Sequence, residues 1–136
     1  LFSISLRSLG VSAESPLADA LGLSMILTEV DEQTALVAIS ATPESPETAN
    51  AVRYARTKGA RTLAITCSPI DPCAQAAELA LTCPPDDLFA LPPVGVIATL
   101  LDAIVQSLGA QDADSVRGRL ERFAVARDWV LPQRHR

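Results

Sequence analysis

The sequence predicts an α/β fold in one domain, with a doubly wound parallel sheet between layers of helices, three layers in all. Short apolar runs alternate with helical segments between residues 35 and 82, an order that favours parallel strands joined by helical crossovers. The chain of 136 residues is 49% hydrophobic but only 4% aromatic, which suits helices packed closely on a sheet through small side chains. This length is enough for one domain with a core, residues 1–136.

Two helices are predicted before the first buried strand. Leu1–Leu9 carries apolar residues in a pattern typical of the last turns of a helix, and Gly10 occupies the position of a C-cap glycine. Ser15, followed by a proline, predicts the N-cap and first turn of a second helix, whose apolar stripe continues to about Leu27.

Three strands and two helices are predicted next. Ala35–Ile39 is a continuous apolar run, which is typical of a strand buried on both faces. A helix is expected from about Pro46 to Lys58, with Gly59 as its C-cap. The remaining segments follow in order: a strand at Arg61–Thr66, a short helix capped by Asp71 and Pro72, and a brief strand at Leu79–Thr82. The sheet core is thus expected at about residues 11–82.

The C-terminal part is predicted to be helical, at about residues 94–130, after the proline-rich connector Pro84–Pro93. Val94–Leu108 is apolar on nearly all sides, so it is either buried within the fold or packed against a second subunit. The last helix is expected from Asp114 to about Val130, with Ser115 as an alternative cap.

Composition excludes several classes of function. The formal net charge of -5 and a pI near 4.7 argue against nucleic-acid binding by these residues, because phosphate contacts need clustered Lys and Arg. No uninterrupted apolar run approaches the roughly 20 residues that a membrane-crossing helix needs. The start of the chain lacks the features of a signal peptide. We therefore expect a cytoplasmic protein without membrane contact.

The cysteines favour reduced thiols over a metal site. Cys67, Cys73 and Cys83 make an odd number in a chain without secretion signals, which is typical of the cytoplasm. The spacing of Cys67 and Cys73 is not a zinc-knuckle spacing, and the only histidine, His135, lies in the tail. No metal or other cofactor is predicted.

The segment Ala35–Thr48 predicts an anion-binding loop. Ser40, Thr42 and Ser45 place three hydroxyl groups beyond a strand end, where open α/β sheets bind ligands. Pro46 then begins a helix whose first backbone N–H groups attract negative charge. The simpler alternative is that Ser45 is an N-cap and Thr42 a turn residue.

Residues 37–81 contain an ordered series of short motifs: Ile39, Ser40, Glu47, Lys58-Gly59-Ala60, Ile65-Thr66 and Pro72-Cys73-Ala74. This series resembles the core of a SIS (sugar isomerase) phosphosugar-binding domain. Such domains have a strand ending Ile-Ser-x-Ser-Gly-x-Thr-x-Glu, then Lys-Gly-Ala after a helix, a strand ending near Ile-Thr, and a helix opening with Ser-Pro-Leu-Ala-like residues. The C-terminal helices more loosely resemble RpiR-type regulators, in which a DNA-binding segment precedes the sugar-binding one.

The resemblance implies a flavodoxin-like fold in which Ser40, Thr42 and Ser45 contact the phosphate of a sugar. It also shows departures. Pro43 stands where the family has glycine, which removes a backbone donor and fixes φ at the point of closest approach to phosphate. The first strand of the family has no counterpart before Leu1, so we expect that strand to be missing or degenerate.

The expected function is a phosphosugar-binding sensor or assembly domain of a transcriptional regulator, forming a homo-dimer or tetramer. DNA contact would come from a preceding domain. The alternatives are an aldose-ketose isomerase and a degenerate domain that serves only dimerisation. A binding role is favoured over an enzymatic one, because Glu47 suits the first turn of a helix and Asp71 suits an N-cap.

Overall fold

The computed structural model describes residues 2–15, 19–41, 46–85 and 92–131. Its elements in chain order are α1 Phe2–Ser8, α2 Ala20–Leu27, β1 Ala35–Ser40, α3 Pro46–Thr57, β2 Arg61–Thr66, α4 Pro72–Ala76, β3 Leu79–Thr82, α5 Val94–Gln111 and α6 Ala113–Val130. The chain divides into two compact units. One comprises Pro16–Ala98, and the other comprises Leu1–Ser15 with Thr99–Arg136.

The described sheet has three parallel strands in the order β1-β2-β3. β1 and β2 are paired from Ala35 opposite Arg61 to Ser40 opposite Thr66, and β2 and β3 end their pairing at Thr66 opposite Thr82. The predicted parallel pairing is confirmed. The observed bounds of β2 and β3 are the predicted ones, because each apolar run is bounded by polar residues that end it.

The prediction that β1 is buried on both faces is wrong. Ala38 and Ser40 are buried, but Ile39 between them is 42% exposed. Helices α3 and α4 pack on the face that carries Ala38, where this residue contacts Val52 and Ala76. The face that carries Ile39 also shows Leu79 and Leu81 to solvent in the described part of the chain. Ile65 stands opposite Ile39 in register and is fully buried, so this face is covered at β2 and partly open at β1 and β3.

Small side chains fill the space between the sheet and its helices. Val52, Ala55 and Ala64 are fully buried. The three buried clusters consist of Val30, Ala55 and Ala60; Ala38, Val52 and Ala76; and Ala49, Ala64 and Cys73. Alanine at these positions allows α3 and α4 to approach the strands closely, as expected from a composition with few aromatic residues.

Both predicted C-cap glycines are confirmed. Gly10 and Gly59 have φ angles of 84° and 81°, a left-handed conformation that glycine adopts without the Cβ clash of other residues. After α3, the amide of Gly59 donates to the carbonyl of Arg56 at 3.0 Å, and the amide of Ala60 donates to that of Ala55 at 3.1 Å. These bonds satisfy carbonyl groups that the helix end leaves open.

Two predicted helix starts are wrong. Asp19, and not Ser15, is the N-cap of α2, and its carboxylate accepts from the amide of Gly22 at 2.6 Å. Asp112 caps α6 by accepting from the amide of Ser115 at 3.2 Å, so the helix begins before Asp114. Several Ser and Asp residues stand near each start, and local sequence does not say which one has the extended backbone of an N-cap.

Helix α5 is less buried than its composition suggests. Ile97 and Val105 are buried, whereas Val94, Val96 and Leu108 are exposed. Among the described helices, α5 is the one with the length and composition of a membrane span. Core helices of proteins outside membranes have the same length and composition, so the expectation of no membrane contact stays a prediction.

Candidate functional site

The candidate site lies where the three parallel strands end. Ser40, Thr66 and Thr82 stand opposite one another in register at this edge of the sheet. Ser40 and Thr66 are buried, with exposed fractions of 4% and 0%. The predicted site residues Thr42 and Ser45, and the proline between them, lie outside the described residues. Ser40 is thus the one predicted contact whose surroundings the structure describes.

Ser40 is tied to Asp71. The Ser40 hydroxyl donates to the Oδ2 atom of Asp71 at 3.1 Å, across 31 positions of sequence. The other carboxylate oxygen, Oδ1, accepts from the backbone amide of Cys73 at 2.7 Å, which makes Asp71 the N-cap of α4 as predicted. Because Asp71 is only 4% exposed, its carboxylate links the end of β1 to the start of α4 inside the fold.

Further hydrogen bonds fix the ends of the neighbouring strands. The Thr66 hydroxyl donates to the carbonyl of Ser68 at 2.9 Å, and the Thr66 carbonyl accepts from the amide of Cys83 at 2.8 Å. The Cys67 thiol donates to the carbonyl of Ala41 at 3.1 Å. These contacts connect residues at the ends of all three strands to one another.

The thiols at this edge are poor nucleophiles. Burial raises the pKa of the Cys67 thiol, and the nearby Cys83 and Asp71 raise it further. Burial also raises the pKa of the Cys73 thiol, to which the adjacent Asp71 carboxylate adds. Both thiols are therefore protonated near neutral pH. Because the thiolate is the reactive species, the arrangement does not suit covalent catalysis.

The described residues show no group of three His, Cys, Asp or Glu side chains that would hold a metal ion. The Asp71 carboxylate lies beside Ser40 and accepts a hydrogen bond from its hydroxyl group. A phosphate that reached Ser40 would meet this negative charge, and it would compete with Asp71 for the hydroxyl proton. The sequence identified Asp71 only as a helix cap; its contact with Ser40 depends on how the strands pair.

A family model described as SIS domain matches residues 6–108. The chain belongs to the SIS domain family. The match includes the whole described sheet, and the predicted α/β fold with a parallel sheet is confirmed as the flavodoxin-like fold of SIS domains. The solved structures to which this chain is similar include a domain of an RpiR transcription factor.

Two such structures cover most of the chain. The sugar isomerase domain of an RpiR transcription factor from Sphaerobacter thermophilus has a TM-score of 0.74 and 20% identity, covering 90% of this chain and 69% of that one. The Vibrio vulnificus NanR protein complexed with ManNAc-6P has a TM-score of 0.76 and 19% identity, covering 96% of this chain and 51% of that one. At these identities the likeness establishes the fold alone.

A curated relative matches a shorter stretch. An N-acetylmuramic acid 6-phosphate etherase from Pectobacterium atrosepticum is 37% identical over 65 residues, which cover 48% of this chain and 20% of the relative. The chain therefore spans about a fifth of the length of that enzyme.

Proposed function

We propose that this chain is a phosphosugar-binding sensor or assembly domain of a transcriptional regulator. The proposal rests on one observation: in this SIS domain, the buried Ser40 lies at the carboxyl end of β1, and the next helix begins shortly after it, at Pro46. Ligands of open α/β sheets bind at such strand ends, and helix N-termini favour anions. Its likeness to NanR, which was solved with ManNAc-6P, supports the same ligand class.

In this proposal Ser40, Thr42 and Ser45 donate to the phosphate, and the first amides of α3 add their partial positive charge. A hydroxyl group has one proton to donate. Binding therefore turns the Ser40 hydroxyl from Asp71 toward a phosphate oxygen, while Asp71 keeps its hydrogen bond from the amide of Cys73. Since a hydrogen bond to a charged group contributes about 1.5–3 kcal/mol, this exchange lowers the affinity.

Calorimetry with a panel of sugar phosphates, beginning with ManNAc-6P, tests the proposal. We expect saturable binding of at least one member. Ser40→Ala should change the affinity by less than about tenfold, because the hydroxyl exchanges its bond to Asp71 for a bond to phosphate of similar strength, about 1.5–3 kcal/mol each. Ser24→Ala is the matched control, since the exposed Ser24 hydroxyl only donates to the carbonyl of Ala20 within α2. Absence of heat and of any thermal shift across the whole panel would count against phosphosugar binding.

The regulatory part of the proposal concerns the full-length protein. We expect a DNA-binding segment outside these residues, because the net charge of -5 does not suit a nucleic-acid surface here. A mobility-shift assay of the full-length protein on its own promoter region should change when the sugar phosphate is added. A full-length protein that binds no DNA under any condition would exclude a transcriptional role, while leaving the calorimetric result intact. The cytoplasm is the expected location.

A dimerisation role is the second candidate, and exposed apolar side chains on α6 favour it. The consecutive residues Trp129, Val130 and Leu131 at the end of α6 are 83%, 83% and 54% exposed. Large apolar side chains clustered on a surface are typical of interfaces. We expect a homo-dimer or tetramer in light scattering, weakened by Trp129→Ser. A monomer at high protein concentration would eliminate this candidate.

No described residue specifically favours the isomerase alternative. Asp71, whose carboxylate accepts from the Ser40 hydroxyl, is held by two hydrogen bonds, which favours a structural role over that of a general base. An aldose-ketose conversion assay on the full-length protein decides this point, and turnover would restore the enzymatic alternative.

A further inference from the structure

Three arginines meet in one pocket of the unit formed by Leu1–Ser15 and Thr99–Arg136. The pocket has a volume of about 210 Å³. Its lining consists of Arg7 and Ser8 from the end of α1, and Arg119, Leu120, Arg122 and Phe123 from α6. The chain as a whole has 11 Lys and Arg side chains and a formal net charge of -5, so this concentration of positive charge is local.

The arginines are not neutralised by carboxylates in the part of the chain that the structure describes. The ion pairs there join other arginines, such as Arg61 with Glu78 and Arg117 with Asp114. Like charges held close together repel one another, and an anion that binds between them removes this cost. The positive charge of this pocket therefore favours a negatively charged ligand.

One of the guanidinium groups is held by a hydrogen bond to the backbone, and another lies next to a glycine. Arg7 donates through Nε to the carbonyl of Ala13 at 2.7 Å, which leaves its Nη donors without a partner among the described residues. Arg119 lies directly over Gly10, where any Cβ would collide with its guanidinium. The Ser8 hydroxyl donates to the carbonyl of Ser5 at 2.7 Å. The donors that face a ligand are therefore arginine N–H groups.

The pocket also has an apolar wall. Leu120 and Phe123 are 50% and 62% exposed on the same helix that carries Arg119 and Arg122. A bare inorganic ion would leave this wall uncovered, whereas a ligand with an organic group would cover it. A phosphate monoester carries a charge of about -1.5 to -2 near pH 7, and planar guanidinium groups bind phosphate oxygens in a bidentate geometry.

We propose that the pocket formed by Arg7, Arg119, Arg122, Leu120 and Phe123 binds a small organic phosphate. This is a second anion site, made of residues other than those proposed to bind phosphosugar after β1. Binding would neutralise the three arginines and cover the apolar wall in one step. Because all three side chains are exposed, the affinity is modest and falls with salt.

The proposal is tested by ¹⁵N NMR titration of the whole chain with phenyl phosphate at constant ionic strength. We expect saturable shifts of the Leu120 and Phe123 amides and of the arginine Nε–H signals, with a Kd of about 1 mM. Arg122→Gln should weaken binding about threefold to tenfold, the range for one exposed charge pair with partial desolvation. Arg117→Gln is the matched control on the same helix, outside the pocket, and should leave the affinity unchanged.

Several outcomes of the titration would refute the proposal. Absence of saturable shifts up to about 10 mM, or equal weakening by Arg117→Gln and Arg122→Gln, would show that the arginines form no site. Inorganic phosphate binding as tightly as phenyl phosphate would refute an organic ligand. Shifts with a DNA oligonucleotide alone would assign the arginines to nucleic acid instead. Ser40→Ala should retain phenyl phosphate binding here, so this test is independent of the phosphosugar proposal.

Discussion

Asp71→Ala should destabilise the domain more than loss of a helix cap alone. The Asp71 carboxylate accepts two hydrogen bonds, from the Ser40 hydroxyl at 3.1 Å and from the Cys73 amide at 2.7 Å. Asp71 is 4% exposed, so water does not readily replace either partner. The substitution therefore disconnects the end of β1 from the start of α4.

The magnitude follows from the two bonds. Loss of an N-cap costs about 1 kcal/mol, and loss of a hydrogen bond to a charged group costs about 1.5–3 kcal/mol. Relief of the buried carboxylate's desolvation offsets part of this sum. We expect the free energy of unfolding to fall by about 2–3 kcal/mol. Asp71→Ser should regain about 1 kcal/mol, because its hydroxyl can still cap α4.

Urea unfolding followed by circular dichroism measures these differences, with the slope m showing whether the unfolding transition keeps its cooperativity. The matched control is Asp112→Ala, since Asp112 caps α6 through one bond of 3.2 Å at an exposed position. We expect this control to lower the free energy of unfolding by about 1 kcal/mol or less. If Asp71→Ala were no more destabilising than Asp112→Ala, the buried Ser40–Asp71 link would be refuted.

Three further predictions concern the core, a turn and a thiol. Val52→Ala, at a fully buried position, should lower the free energy of unfolding in urea by about 2 kcal/mol. Val125→Ala, at a position 62% exposed, should change it by no more than about 0.5 kcal/mol. Equal effects of the two substitutions would contradict the assigned core. Gly59→Ala should lower the free energy of unfolding by about 1–2 kcal/mol, because the φ of 81° at this position disfavours a side chain. An unchanged midpoint of urea unfolding would show that the turn adopts another backbone conformation. Alkylation of Cys67 should be slower than that of free cysteine at pH 8 and accelerate as pH rises, because burial raises the pKa of this thiol. The neutral Cys67 thiol stabilises the fold fully below the ordinary thiol pKa of 9.0, and this contribution is lost as the pH rises through the higher pKa of the folded state. Alkylation of Cys67 at the rate of free cysteine would contradict the raised pKa.

The elements that could be predicted from sequence are those with local causes. Arg61–Thr66 and Leu79–Thr82 are strands because apolar runs end at polar residues. Gly59 ends α3 because glycine alone adopts its positive φ without strain. Asp71 caps α4 because a carboxylate before a proline accepts from the first amides of a helix. Each of these features depends on residues within a few positions of one another.

Other features depend on packing and were not predictable from local pattern. The sequence could not show that Ile39 is half exposed, because an apolar run looks the same whether one face is covered or two. It indicated Ser15 as the cap of α2, whereas Asp19 is the cap, because both residue types suit an N-cap and only the backbone conformation distinguishes them. Thr42 and Ser45 stay predictions.

The sequence by itself determined the α/β class, the parallel strands and the position of Ser40 at a strand end, since all three follow from the order of apolar runs and turn residues. Only the tertiary structure joined Ser40 to Asp71, at 31 positions of separation. Only the tertiary structure brought Arg7 together with Arg119 and Arg122. Contacts of this kind require two distant segments to be packed together, and no local pattern encodes which segments will meet.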